Sequence, residues 1–492
     1  MELSGIGTLI LIFFVTFLVT VWVRRNRQSA LPPGPTPLPL LGNILQINFK
    51  DIVQSFVQLG TQYGPVSMVH LGQNKAVVLN GFDVVKEALI DNGEVFGDRA
   101  KLAMADIAFK GYGVLFSNGE RWKQMRRFTL STLRNFGMGK RSLEERVQEE
   151  AKCLAEEFRK KEGAQFDPTF LLSLAVSNIT CSIFFNERFD YEDKEFLSML
   201  ALIKESFRIV TSPWAQIFAL APRFFMYLPG SHHTVFKIFD KLNEFVKKKI
   251  TVHEATLDVN CPRDYIDCFL IKMREEKDNL NTEFNVNNLL VNGINLFFAG
   301  TETSGTTLRY SLLILLKYPD VRKKIQEEID LVIGQSRCPS VEDRINMPYT
   351  DAVIHEIQRF ADIVPLGLPR ATSQDTKFRG YHIPKGTTVF PMLTTVLKDE
   401  KYFKNPQAFD PKHFLDDKGN LKKNEAFIPF SLGRRNCLGE GLARMEIFLF
   451  LTYILQMFDL KCNKDPEEID ISPVPNSGSF TPRPYTISMS QR

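Results

Sequence analysis

The sequence predicts a mainly α-helical protein with a small β part, one large catalytic domain behind an N-terminal transmembrane helix. Three observations carry this. An uncharged apolar run, residues 6–23, opens the chain. Helical periodicity dominates most of the chain after it. Alternating β-type patterning is confined to two short regions. The 492 residues are 44% hydrophobic and 24% charged, an ordinary globular composition. A formal net charge of only +4 implies no general affinity for nucleic acid. The 7 cysteines are odd in number and form no CxxC pair, which excludes a disulfide framework and a structural zinc site. They fit a reducing compartment.

The apolar run is just long enough to span a bilayer. Arg24, Arg25 and Arg27 come directly after it, the reverse of a secretory signal, and no small-residue cleavage site is visible. The positive-inside rule then places the remainder of the chain in the cytoplasm. Residues 1–28 are read as the anchor and its basic flank, residues 29–43 ("PPGPTPLPLLGN" at their core) as a stiff proline-rich hinge, and residues 44–492 as the domain. Residues 66–80 read as a hairpin around a Gly-Gln-Asn turn. "RSLEERVQEEAKCLAEEFRKK" is an amphipathic helix. Residues 286–318 read as a very long buried central helix, ended by Pro319. "DVRKKIQEEIDLVIG" and "YTDAVIHEIQRF" are two further helices, and residues 378–390 are short strands. Three conspicuous features read as bland. The sequon at Asn178 goes unused in the cytoplasm, His232–His233 is a solvated loop, and "FVKKKI" is one helix face.

"FSLGRRNCLGEG", residues 430–441, sets one thiol among glycines and arginines just before an apolar helix. Gly433 and Gly439 can take positive φ or admit a close neighbour. The helix N-terminus, Arg434 and Arg435 favour a thiolate at Cys437. Such a thiolate is a nucleophile or a metal ligand. No local feature nominates the histidine base that a nucleophile needs, whereas a thiolate on haem iron needs none. The order Phe430-x-x-Gly433-x-Arg435-x-Cys437-x-Gly439 resembles the haem-binding signature of the cytochrome P-450 superfamily, the haem-thiolate monooxygenases.

Three more segments match the family in order. Ala299-Gly300-Thr301-Glu302-Thr303 resembles its oxygen-activation segment. Gly300 would leave room for a flat cofactor and dioxygen, and Glu302 and Thr303 would relay protons. Glu356-x-x-Arg359 lies on one helical face and, by resemblance, forms a buried structural pair joined by His413 of "DPKHF". Trp122 and Arg126 of "ERWKQMRRF", with Arg99, Arg370 and Arg435, align with contacts to the haem propionates. The resemblance covers essentially the whole chain and is greatest to vertebrate family-two microsomal members. It implies haem b with Cys437 as axial ligand and electrons from NADPH through a flavoprotein reductase, with cytochrome b5 as a further partner. It also implies an endoplasmic reticulum membrane location and insertion of one oxygen atom into apolar xenobiotics, fatty acids or steroids by hydroxylation or epoxidation. No nucleotide-binding motif is evident, so the electron donor is external. The implied pocket includes Asn295, Phe297, Phe298, Ile363, Leu366 and Phe480. Asn295 and Asn436 depart from the common residues at their positions. The rival readings are a haem-thiolate isomerase or peroxide-dependent enzyme without reductase, and a membrane-bound haem sensor or carrier. The Glu302–Thr303 pair argues against both.

Overall fold

The computed structural model describes residues 31–39, 41–136, 141–474 and 479–492, together with Thr8, Ile12, Phe13 and Thr16. The apolar N-terminal run lies almost wholly outside these residues. Among the described residues no helix is long and apolar enough to cross a membrane. The long helices that organise the domain are α1 (Gly119–Asn135), α2 (Arg141–Arg159), α3 (Thr169–Phe184), α4 (Ser231–Thr256), α5 (Tyr265–Glu275), α6 (Val286–Lys317), α7 (Pro319–Val332), α8 (Pro348–Ala361) and α9 (Glu440–Met457). The central, amphipathic and paired helices expected from periodicity are thus α6, α2, and α7 with α8.

α6 starts where the Asn285 side chain accepts a hydrogen bond from the Asn288 N–H at 3.0 Å. It stops just before Pro319, whose ring cannot continue it. Its 32 residues extend about 48 Å. It packs on α3, which has almost no polar face and is buried nearly throughout. Two glycines let the axes approach. A Cβ on Gly293 would meet the Phe184 ring at 2.8 Å, and one on Gly300 would meet Thr180 Oγ1 at 2.6 Å. The approach also brings Ser177 Oγ within 3.0 Å of Thr301 Oγ1. α9 closes the other side, buried through most of its length.

The hairpin is β1 (Val66–Leu71) and β2 (Asn74–Asn80), turning at Gly72, φ 64°. The later strands are β4 (Arg370–Ala371), β5 (Thr376–Phe378), β6 (Tyr381–Ile383) and β7 (Thr388–Met392). With β3 (Asp98–Arg99), the main sheet runs β1-β2-β7-β4-β3, and only β2–β7 is parallel. The proline-rich stretch is not a free-standing arm. The Met68 N–H donates to Pro33 O at 2.8 Å, and Asn43 bridges Pro35 O and the His70 N–H. From Leu31 onward it packs as part of the domain.

His232 also departs from expectation. It is wholly buried in the first turn of α4 rather than solvated in a loop. The Trp214 indole N–H donates to its Nδ1 at 3.2 Å, and its ring stacks on Phe218 at 4.7 Å. Asn178 is buried with its amide bonded to Glu150 and to the Phe189 backbone, so the folded chain presents no sequon there. The lysines of "FVKKKI" do form a helix face, with Lys247 and Lys248 exposed and Ile250 buried.

Glu356 and Arg359 of α8 pair through two 2.7 Å bonds, both side chains wholly buried. The remaining Arg359 donors reach the carbonyls of Leu397, Pro406 and Ala408 at 2.8–2.9 Å. His413 Nε2 donates to Lys404 O at 2.6 Å, and its Nδ1 faces Glu356 at 3.1 Å. Both ring nitrogens therefore serve as donors. Burial pulls the His413 pKa down, but the Glu356 carboxylate and Lys404 carbonyl outweigh it and the net direction is up. The stabilisation is full below the unfolded value, about 6.5, and is lost as pH rises through the raised folded value. Denaturant unfolding should show wild type losing stability relative to His413→Asn as pH rises through neutrality. Arg359→Ala, which strands a buried carboxylate, should cost about 3–5 kcal/mol.

Candidate functional site

Arg99 and Arg370 are direct cross-strand partners on β3 and β4. Like charges so placed repel, and both side chains are buried. Arg435 is buried beside them, its guanidinium 3.7 Å from the centre of the Trp122 ring. Arg126, one turn along α1 from Trp122, donates to Asn436 O and Oδ1 at 3.0 and 2.6 Å. Arg435 donates to Gly97 O, Ser117 O and Asn118 Oδ1, and Arg99 to Leu115 O and Leu368 O. These acceptors are carbonyl and amide oxygens, not carboxylates. Arg370 Nε and Arg435 Nη1 have no hydrogen-bond partner among the described residues. Burial, then mutual repulsion, presses Arg370 down to about 7 and Arg435 to about 8. Five side chains, Trp122 and Arg126 from α1, Arg99 and Arg370 from two strands and Arg435 from the 430–441 turn, thus form a positive pocket.

The 430–441 turn needs its first glycine. Gly433 has φ 74°, and a Cβ there would overlap Leu89 O at 1.9 Å. Gly439 differs, with φ −93° and open space where its side chain would point. The Cys437 N–H donates to Phe430 O at 3.0 Å, and its side chain is accessible. Although the side chain reaches solvent, the protein packed around it keeps bulk water away and raises the thiol pKa, with Glu440 adding to the rise and the Gly439 N–H, Arg126 and Arg99 opposing it.

On α6, Thr303 Oγ1 donates to Ala299 O at 2.7 Å, leaving its oxygen free to accept. Burial raises the Glu302 pKa, opposed by Lys204 and Arg309. The missing side chain of Gly300 would point at Thr180 on α3, so the helix crossing requires the glycine. Thr303, Ile363 and Phe430 line one cavity. Leu366 packs with Phe390 in a separate apolar cluster that Phe480 joins, and the Phe480 N–H donates to Ile363 O at 3.2 Å. Phe297 is buried in the helical core, with Phe298 packed against it 5.5 Å from Phe207. Asn295 Oδ1 accepts the Leu115 N–H at 3.1 Å, tying the 111–118 loop to α6. Sequence reasoning missed Asn118, which orients Arg99 and Arg435 together, and no local signal marks it. A separate cluster, His253, Asp264 and Asp267, has the spacing of metal ligands. However, His253 bonds Lys249 O and Asp264, and Asp267 pairs with Arg263, so these atoms already tie α4 to α5.

A family model described as Cytochrome P450 matches residues 32–489. The chain is 53% identical to Cytochrome P450 2C23 of Rattus norvegicus over 100% of both chains. It is 53% identical to Cytochrome P450 2A5 of Mus musculus over 99% of each. Against Cytochrome P450 2C8 of Homo sapiens it is 53% identical, covering 97% of this chain and 98% of that one.

A pocket of mutually repelling arginines makes a sharp prediction. Arg370→Met should stabilise the ligand-free protein, by about 1–4 kcal/mol, because it removes a buried unpaired charge. The same change should weaken binding of a carboxylate-bearing ligand. Thermal unfolding with and without ligand measures both.

Proposed function

Because the chain belongs to the cytochrome P450 family, and is thus a haem monooxygenase, we propose that Cys437 is the axial ligand and that Trp122, Arg99, Arg126, Arg370 and Arg435 hold the haem carboxylates. One observation carries this: an accessible thiol stands beside buried arginines that have orphaned donors and, among the described residues, no carboxylate bonded to them. A dianionic iron porphyrin supplies both missing charges, a cation for the thiol and carboxylates for the arginines. Open space at Gly439 fits a group lying against the turn. When bound, haem with a thiolate ligand supplies activation of dioxygen for insertion into organic substrates.

The chain's own residues then bind, exclude water and handle protons. Burial favours a proton on Glu302, and the Thr303 oxygen can accept from a donor water. Phe297, Phe298, Ile363, Leu366 and Phe480 favour apolar substrates such as xenobiotics, fatty acids or steroids, with Asn295 as the one polar group among them. Electrons arrive from NADPH through a flavoprotein reductase. Lys123, Arg127 and Arg134, exposed along one face of α1, suit its docking, and cytochrome b5 suits the same face. Residues 6–23 anchor the protein in the endoplasmic reticulum membrane with the domain in the cytoplasm.

Cys437→Ala should lose the thiolate-type carbon monoxide spectrum, while alanine at the other cysteines retains it. A normal spectrum in Cys437→Ala would sink the ligand assignment. Thr303→Ala should retain haem and substrate binding, consume NADPH, release more peroxide and form less product. An unchanged ratio of product to NADPH would leave Thr303 as a helix residue alone.

A further inference from the structure

α4 begins and ends on a buried histidine, His232 in its first turn and His253 in its last. The partners of the two rings fix opposite charge states. An indole N–H can only donate, so His232 Nδ1, 3.2 Å from the Trp214 nitrogen, accepts and carries no proton. The wholly buried His232 ring stacks on Trp214 and Phe218, with centres 5.9 and 4.7 Å away. A second proton would set two N–H donors against each other inside this aromatic packing. At the other end both nitrogens of His253 face oxygens, Nδ1 the Lys249 carbonyl at 2.8 Å and Nε2 the Asp264 carboxylate at 2.6 Å. Only an imidazolium donates to both. Asp264 is wholly buried, and its other oxygen caps α5 by accepting the Asp267 N–H at 3.0 Å. The helix dipole favours the same assignment, a neutral ring at the positive start of α4 and a cation at its negative end.

We propose that His232 and His253 are pH-sensitive pins of opposite sign that hold the two ends of α4, the first released by acid and the second by base. The charged groups near His253 are Asp264 and Asp267 of α5. Arg263 pairs with Asp267 through bonds of 2.6 and 2.9 Å, and Lys249 of α4 pairs with Glu187. Cys268 of α5, near both acids, is pushed up to about 11 by burial and stays neutral. His232 has His233 beside it on its own helix. The helices Pro213–Leu220 and Pro222–Phe225 present Trp214, Phe218 and Phe225 to it, and Arg223 there is exposed. Burial moves the His232 pKa down and His233 adds to this, against the Phe225 backbone. This pin is therefore complete above the unfolded value, about 6.5, and weakens as pH falls below it. For His253 burial also pulls down, but Asp264 and the Lys249 carbonyl outweigh it and the net direction is up. That pin is complete below about 6.5 and is lost as pH rises through the raised folded value. Whichever proton His253 loses, a ring nitrogen is then left facing an oxygen with no hydrogen between them. Between its ends α4 lies on α6, where a Cβ on Gly293 would meet Val246 at 3.1 Å. The pins thereby set how firmly α4 covers the stretch of α6 that carries Asn295 and Phe297.

Carbon-13 NMR of histidine-labelled, haem-loaded protein in its carbon monoxide form reads both charges directly. His232→Phe and His253→Gln assign the two signals by their loss. The His232 signal should stay neutral below the ordinary value of about 6.5, and the His253 signal should stay cationic above it. Amide hydrogen exchange, corrected for intrinsic rates, should quicken about tenfold in the first turn of α4 as His232 gains its proton, and in the last turn as His253 loses one. His232→Phe should remove the acid limb of that profile and His253→Gln the alkaline limb. Either ring titrating at the ordinary value overturns the proposal, as does exchange at the helix ends that ignores the two titrations. Should either histidine variant not fold, Trp214→Phe and Asp264→Asn carry the test. Trp214→Phe removes the N–H aimed at Nδ1 and should move the His232 titration to higher pH. Asp264→Asn should move the His253 titration to lower pH. Unmoved titrations overturn the proposal. None of these readouts uses turnover, so their failure leaves the Cys437 assignment standing.

Discussion

Four guanidiniums held in each other's fields, with no carboxylate bonded to them, are the constraint on which the site depends. Arg99 and Arg370 face each other across two short strands, and Arg435 and Arg126 come in from the 430–441 turn and α1. A fold gains nothing from such a cluster by itself, because buried like charges oppose folding. The arrangement becomes favourable when an anion fills it. Cys437 stands next to the arginines, its thiol pKa raised by the protein packed around it and held back by the Gly439 N–H, Arg126 and Arg99.

The rest of the domain keeps these groups in place. Glu356 and Arg359 tie α8 to the chain at Leu397, Pro406 and Ala408, and His413 adds a third contact. Asn118 joins Arg99 to Arg435. On the other side, close packing of α3 on α6 through Gly293 and Gly300 fixes the level at which Glu302 and Thr303 stand. Rigid helices therefore carry the proton-handling residues, and a turn shaped by Gly433 carries the thiol.

The long helices were legible because apolar spacing survives in sequence. α6 also has both its cap and its terminating proline in local residues. The 430–441 turn was legible for the same reason, since its glycines, arginines and cysteine are contiguous. Contacts made by distant segments were not. Nothing near Gly300 announces Thr180, and nothing near Arg99 announces Arg370. His232 was misread because a histidine pair after "LPGS" looks like a polar loop, while Trp214 and Phe218 enclose it from an earlier segment.

The central claim is that carboxylates complete the arginine pocket. Its most direct test compares binding of iron protoporphyrin IX with its dimethyl ester, which has the same ring and metal but no carboxylates. The account predicts that the free acid binds and raises the melting temperature, that the ester binds far more weakly, and that Arg370→Met narrows the difference. Equal affinity for acid and ester would contradict it.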